Sequence, residues 1–176
     1  MTKKPSENTA LLLDDEAIVE DKATASSFEA RGYGKKDVHR LVLDLKETLL
    51  LHEISGLKVF KGKKELAVDE LLAFAERKEK NFNQKYLVFS DLRKRGYLVK
   101  TGFKFGFDFR VYPRGKSMGE AHTEFVVQVI PETKTFSMNE FSRMIRMAQT
   151  LKTNLLLAII DTENNISYFK TERILL

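Results

Sequence analysis

"FGFDFRVYPRGKSMGEAHTEFVVQVI", residues 105–130, sets the architecture of the C-terminal half. "DFRVYP" reads as a short strand, and "TEFVVQVIP" as a second one too apolar to lie fully exposed. The loop between them holds Pro113, Arg114, Gly115, Lys116, Gly119 and His122, and Tyr112 stands at its mouth. Downstream, "SMNEFSRMIRMAQTLKT" reads as a helix with Ser137 as N-cap and Glu140 three residues later, a capping box. The spacing places Met138, Phe141, Ile145 and Ala148 on one apolar face. "NLLLAIID" is expected to be a buried strand, "TENN" a turn and "ISYFKTERILL" a final strand. Strands followed by a helix and another strand predict an α/β fold of the α+β kind, with a mixed sheet and its chemistry at the strand ends.

Upstream of residue 105 the signals are local. "ALLLDDEAIVED" predicts a hairpin turning at Asp14–Asp15, and "RGYGKK" a turn around Gly32 and Gly34. In "KDVHRLVLDLKETLLLHEISG", Leu43, Glu47 and Leu50 or Leu51 fall at helical spacing, and Ser55–Gly56 closes the helix. "LKVFKGKKEL" predicts two short strands around a Lys-Gly-Lys-Lys turn. Two helices follow, one opening at Asp69 and one running from Gln84 to Arg95 before Gly96. The polar stretch at Lys80–Asn83 predicts a boundary between an N-terminal domain, 1–82, and a C-terminal domain, 83–176.

Composition narrows the function classes. The chain has 176 residues, 43% hydrophobic and 31% charged, as in ordinary globular proteins. No apolar run reaches the roughly 18 residues needed to span a bilayer, and the start lacks the layout of a signal peptide. A cytoplasmic protein without a membrane partner is expected. The absence of Cys excludes disulfides, thiolate zinc sites and a Cys nucleophile, and His39, His52 and His122 are too scattered to form a metal cage. The net charge is +5, unevenly placed. Residues 1–82 hold 15 Lys and Arg against 16 Asp and Glu, a net −1, whereas 83–176 hold 15 against 9, a net +6. Such asymmetry points the C-terminal half towards a polyanion, with nucleic acid the usual candidate.

Tyr112, His122 and a Lys from the end of the 137–153 helix form a set able to cut RNA without a metal. Cleavage through the 2′-hydroxyl needs a base for that proton and an acid for the leaving 5′-oxygen. It also needs a cation for the charge that grows on the phosphate. His suits the acid, being partly protonated near neutrality. Tyr is a weak base at its ordinary pKa of about 10, so the role requires cations such as Arg110, Arg114 and Lys116 close by. Taken singly, Tyr112 reads as a strand-end packing residue and His122 as a loop hydrogen-bonder; the combination carries the signal. The rival is a metal-dependent nuclease built on Asp108, Glu124 and Gln128. It ranks lower, because "EFVVQV" offers no Lys two residues after an acid and Asp108 in an aromatic strand suits a structural hydrogen bond.

"KYLVFSDLRKRGYLVKTGFKFGFDFRVYPRG", residues 85–115, closely resembles the start of the catalytic domain of archaeal tRNA-splicing endonucleases. The "GYGK" turn, the "LVLDLKETLLL" segment and the later "LLLAIID" strand resemble the same family, so the likeness covers nearly the whole chain. It implies a small N-terminal α/β domain and a C-terminal mixed-sheet nuclease domain. It also implies cofactor-free, metal-independent cleavage of precursor tRNA at bulge–helix–bulge sites, leaving 2′,3′-cyclic phosphate and 5′-hydroxyl ends.

Residue by residue, the resemblance assigns the catalytic Tyr to Tyr112 and the catalytic His to His122. It gives Arg146 the role of stacking on an unpaired bulge base, for which a solvent-facing helix charge is the plain alternative. The family's Lys falls seven residues after that Arg, which here is Thr153, with Lys152 one place earlier. One residue on a helix is a rotation of about 100°, although a helix end can adjust by one position. Either Lys152 serves as the phosphate-stabilising cation, the reading preferred here, or the chain is a non-catalytic structural subunit of a splicing assembly. The resemblance further places Asp161 and Glu163 in an acidic loop that docks on another subunit. It implies a homotetramer, with a homologous partner subunit as the alternative. The apolar final strand would allow edge-to-edge pairing.

Overall fold

The computed structural model describes residues 8–115 and 122–174. The chain divides between Asn83 and Gln84 into two compact units. No described helix is long and apolar enough to cross a membrane. With helices and mixed sheets in both units, the fold is α+β.

The N-terminal unit is built on six strands. In chain order they are β1 (Thr9–Leu12), β2 (Glu16–Val19), β3 (Lys35–Asp37), β4 (Arg40–Asp44), β5 (Lys58–Lys61) and β6 (Lys64–Leu66). They lie in the order β3-β4-β2-β1-β5-β6, and only the β1–β5 pair is parallel. The hairpins at Asp14–Asp15 and at the Lys-Gly-Lys-Lys turn form as expected.

Two elements correct the sequence reading. Helix α1 (Lys22–Ala30) was not anticipated, because only Phe28 of its nine residues is buried and the rest give no apolar period. Its start is fixed by Asp21, whose side chain accepts from the Thr24 N–H at 2.8 Å. The second correction concerns Leu43, which lies in β4, where buried Leu41 and Leu43 alternate with Val42 and Asp44. Helix α2 (Leu45–Ser55) begins only after Asp44, which forms a capping box with Glu47. The strand's leucines run straight into the helix's leucines, so a period of two passes for one of 3.6. Gly56, in the left-handed conformation at φ 61°, ends α2. Helix α3 (Val68–Lys78) follows β6 and buries Leu71, Phe74 and Ala75.

Helix α4 (Phe82–Lys94) leads into the C-terminal unit. Its strands are β7 (Leu98–Thr101), β8 (Phe109–Tyr112), β9 (Phe125–Pro131), β10 (Asn154–Ile160) and β11 (Ile166–Thr171), in the order β11-β10-β9-β8-β7. Only β9 and β10 run parallel, joined by helix α5 (Met138–Thr150) as the crossover. One face of the sheet packs Val126, Ile130, Leu155 and Leu157 against Phe141, Ile145 and Ala148 of α5. On the other, Phe89 of α4 meets Phe109, ring centroids 6.0 Å apart. The Ser137–Glu140 capping box starts α5 as expected, but Met138 is 72% exposed and does not join the apolar face. At the helix's first turn, that face has not yet closed over the sheet.

Gly102 links β7 to a short 3-10 turn, Phe103–Phe105. A Cβ there would lie 2.9 Å from the Phe107 carbonyl oxygen and 3.0 Å from the Phe109 nitrogen. Backbone cannot yield as a side chain can, so this glycine of the "KTGFKFG" motif is required by close approach.

Candidate active site

Three neighbouring strands present their loops at one edge of the C-terminal sheet. Val111 of β8 pairs with Phe125 of β9, and Phe125 pairs with Asn154 of β10. Strand β8 ends one residue later at Tyr112, while the chain enters β9 through His122–Glu124 and β10 through Lys152–Thr153. The Glu124 N–H donates to the Val111 carbonyl at 2.8 Å, which fixes the mouth of the loop. Tyr112, His122 and Lys152 therefore share one edge across three adjacent strands spaced about 4.8 Å apart. Tyr112 is 7% exposed, and His122 and Lys152 are exposed.

The cations near Tyr112 are held by rings. The Arg110 guanidinium lies 5.9 Å from the Tyr112 ring centroid and 5.0 Å from that of Phe105, and its Nε donates to the Thr101 carbonyl at 3.3 Å. Arg114 stands over Tyr97 at 4.7 Å. Sequence reasoning did not single out Tyr97, although its place just before β7 puts it beside the end of β8, where Leu98 pairs with Tyr112. Lys116 lies outside the described residues.

Helix α5 ends at Thr150, and the chain then reverses hand. Lys152 has φ 54°, its N–H donates to the Gln149 carbonyl at 2.9 Å, and the Thr153 N–H donates to the Ala148 carbonyl at 3.1 Å. This pair of bonds is a Schellman motif with Lys152 at the left-handed position where glycine is usual. A lysine there costs about 1–2 kcal/mol relative to an ordinary helical residue. Because the helix has already ended, a rotation of 100° per residue does not describe the offset between Lys152 and Thr153. Lys152 is exposed, whereas Thr153 Oγ1 is buried and has no hydrogen-bond partner among the described residues. Of the two, only Lys152 presents a cation at the sheet edge.

Arg146 is exposed on α5, one turn before the helix ends at Thr150. Arg143, one turn earlier and also exposed, extends the same basic strip. It carried no motif to mark it in the sequence.

Asp108 is committed to the fold. One carboxylate oxygen lies 3.1 Å from Lys85 Nζ; the other accepts from Gln128 Nε2 and the Val129 N–H, both at 2.8 Å. Gln128, the third member of the metal-dependent alternative of Asp108, Glu124 and Gln128, is thus spent on the first.

Asp161 and Glu163 sit at the far end of β10, about 20 Å along the strand from Asn154. Asp161 organises its own turn: Oδ1 accepts from the Glu163 and Asn165 N–H groups, and Oδ2 from Asn165 Nδ2. The Asn165 side chain, followed by its backbone N–H, holds the carboxyl below the usual range. Glu163 is exposed.

Known proteins resemble this chain in sequence. Residues 9–72 match the tRNA intron endonuclease N-terminal domain, and 82–168 match the tRNA intron endonuclease catalytic C-terminal domain. A protein of Thermococcus onnurineus named tRNA-splicing endonuclease is 38% identical over 162 residues, 92% of this chain and 93% of that one. The protein of that name in Methanothermobacter thermautotrophicus is 40% identical over 160 residues, 89% and 92% of the two chains. In Methanococcus maripaludis the figure is 33% over 171 residues, 96% of each. Both domains and nearly the full length are accounted for, and the chain belongs to the tRNA intron endonuclease family.

Proposed function

We propose that the chain is an RNA endonuclease that removes introns from precursor tRNA by metal-independent cleavage at bulge–helix–bulge sites. The observation that carries this reading is the meeting of the β8, β9 and β10 ends, with Tyr112, His122 and Lys152 along one edge. The Tyr112 oxygen takes the proton of the 2′-hydroxyl flanking the scissile phosphate. The freed 2′-oxygen attacks phosphorus, and the bond to the 5′-oxygen breaks. His122 gives its proton to that leaving oxygen, so the ends are a 2′,3′-cyclic phosphate and a 5′-hydroxyl. Lys152 faces the non-bridging oxygens, where negative charge grows in the transition state. Arg146 and Arg114 supply planar cations for an unpaired bulge base and the backbone.

Two cuts flank each intron, which calls for two such sites on one particle. Strand β11 is a sheet edge with Phe169 51% exposed, and Ile174 beyond it is 74% exposed. Pairing of this edge with a second copy would cover both, and the Glu163 turn offers an acidic contact for assembly into a homotetramer. A second reading rests on Thr153 in the position of the family's Lys: the chain would then be a structural subunit serving a homologous catalytic partner.

Incubation of the purified chain alone with end-labelled bulge–helix–bulge RNA in EDTA separates these readings. Cuts at both bulges with cyclic-phosphate ends are expected. Tight binding without cuts would make the chain a structural subunit, and cuts that vanish with the chelator would make it a metal-dependent nuclease.

A further inference from the structure

The N-terminal unit carries its own concentration of cations, although residues 1–82 as a whole are net negative. Lys22, Ser26 and Glu29 fall four and three residues apart on α1 and so share one face. Facing them is the β3–β4 hairpin with Lys36, His39 and Arg40. Between the two lies a groove of about 230 Å³, with Ala25 and Leu41 as apolar lining.

The groove's charges are loosely engaged. Lys36 Nζ lies 3.7 Å from Glu29, and Arg40 Nε lies 2.9 Å from Asp37, both pairs largely exposed. Exposed pairs contribute little to stability, so either cation exchanges its carboxylate for a phosphate at little cost. Lys22 forms no ion pair with any described residue and is exposed.

The hairpin tip is strained. Asp37 pairs with Arg40, which leaves Val38 and His39 as a two-residue turn, and Val38 has φ 48°. A β-branched residue in the left-handed region is a genuine, strained outlier. Glycine or asparagine is the usual choice in such a turn. Here the strain places an apolar side chain, 78% exposed, in water beside an exposed imidazole and the cations of the groove. Apolar and aromatic tips flanked by cations match a nucleotide, whose base offers a flat stacking face and whose phosphate is an anion.

We infer that this groove binds the phosphodiester backbone of the precursor RNA away from the cleaved bulges, with Lys22, Lys36 and Arg40 on phosphates and His39 against a base. The inference rests on the RNA-cleaving function proposed above. It assigns part of the precursor's affinity to the N-terminal unit and none of the bond-breaking.

The test is equilibrium binding by fluorescence anisotropy in the full chain, which does not require cleavage. Wild type is compared with the triple variant Lys22→Ala, Lys36→Ala, Arg40→Ala on an intact precursor tRNA and on a minimal bulge–helix–bulge RNA, across a salt series. Melting curves establish that the variant is folded. Affinity for the precursor is expected to fall about tenfold or more, and the slope of log K against log salt to flatten by about 2 to 3, near 0.9 per lost phosphate contact. Affinity for the minimal RNA and single-turnover cleavage of it should not change. Glu29→Gln, which frees Lys36, should tighten precursor binding. Unchanged precursor affinity overturns the inference, as does an equal loss on the minimal RNA. A change in particle mass by light scattering also overturns it, because the groove would then serve assembly. A wild type that binds precursor through the groove yet cuts neither RNA would refute the cleavage proposal alone.

Discussion

Four described helices of this chain end at a left-handed residue, glycine after α1, α2 and α4 (Gly32, Gly56 and Gly96) and lysine after α5. Helix α2 stops at Gly56, φ 61°, the residue that reaches this conformation without steric cost. Helix α5 passes the same kind of turn at Lys152, φ 54°, where the side chain is strained. Nothing in the helix end itself calls for a lysine, because the motif's hydrogen bonds use only backbone atoms. What distinguishes the α5 end is its position: it opens onto β10 at the edge shared by Tyr112 and the entry to β9. Under the proposed function, that position gives the strained lysine its use as the phosphate-facing cation, which the three glycine-ended helices do not need.

The comparison can be broken most forcefully through the rate. His122→Ala and Lys152→Ala should each lower single-turnover cleavage by about 10²- to 10⁴-fold, the range for a lost general acid or transition-state donor. A change at another left-handed helix end, Gly56→Ala, should leave the rate of the folded protein intact.

A next step separates stability from chemistry within the C-terminal unit. Tyr168 of β11 donates its hydroxyl to Asp91 of α4 at 2.7 Å, and the same carboxylate oxygen accepts from Arg95 Nε at 2.7 Å. Burial, followed by this hydrogen bond to Asp91, pushes the Tyr168 hydroxyl pKa up, so the phenol remains the donor across the working range. Tyr168→Phe should cost about 1.5–3 kcal/mol in a urea melt, the range for hydrogen bonds to charged groups. Cleavage should persist wherever the variant stays folded; loss of cleavage in the folded variant would mean that the edge is not set by β8–β10 alone.

How much of this was legible in the sequence follows from how far each signal reaches along the chain. The Ser137–Glu140 box, the Asp14–Asp15 hairpin and Gly56 are local, and the fold honours each. Helix α1 was hidden because its one buried residue, Phe28, cannot make a period, and β4 because Leu41 and Leu43 merge with the leucines of α2. The candidate catalytic residues were visible as types, Tyr112 through the resemblance of residues 85–115 and His122 and Lys152 through that of later segments. Their meeting was not, because it depends on the parallel register of β9 with β10, residues about thirty apart whose pairing no local pattern encodes. The left-handed turn at Lys152 was hidden for a related reason. Sequence signals for that turn favour glycine or asparagine, and neither is there.

Another left-handed residue, Asn164 at φ 66°, sharpens the comparison with the smallest effect. Its turn is tied by Asp161, and the Asn165 side chain and backbone depress that carboxyl's pKa. A depressed folded pKa contributes stability that is present above the unfolded value, about 3.9, and lost as pH falls through the folded one. Amide exchange at Glu163 and Asn165 should therefore quicken relative to neighbouring strand amides only in acid below that range. Asp161→Asn should remove the dependence.

The most direct measurement is a paired melt and single-turnover cleavage assay of Lys152→Gly beside wild type. Relief of the left-handed strain should raise stability by about 1 kcal/mol while cleavage falls by at least about a hundredfold. Full cleavage by the glycine variant would contradict the assignment of the phosphate-facing cation to Lys152. Lowered stability would show that the lysine is held there by packing and not by function.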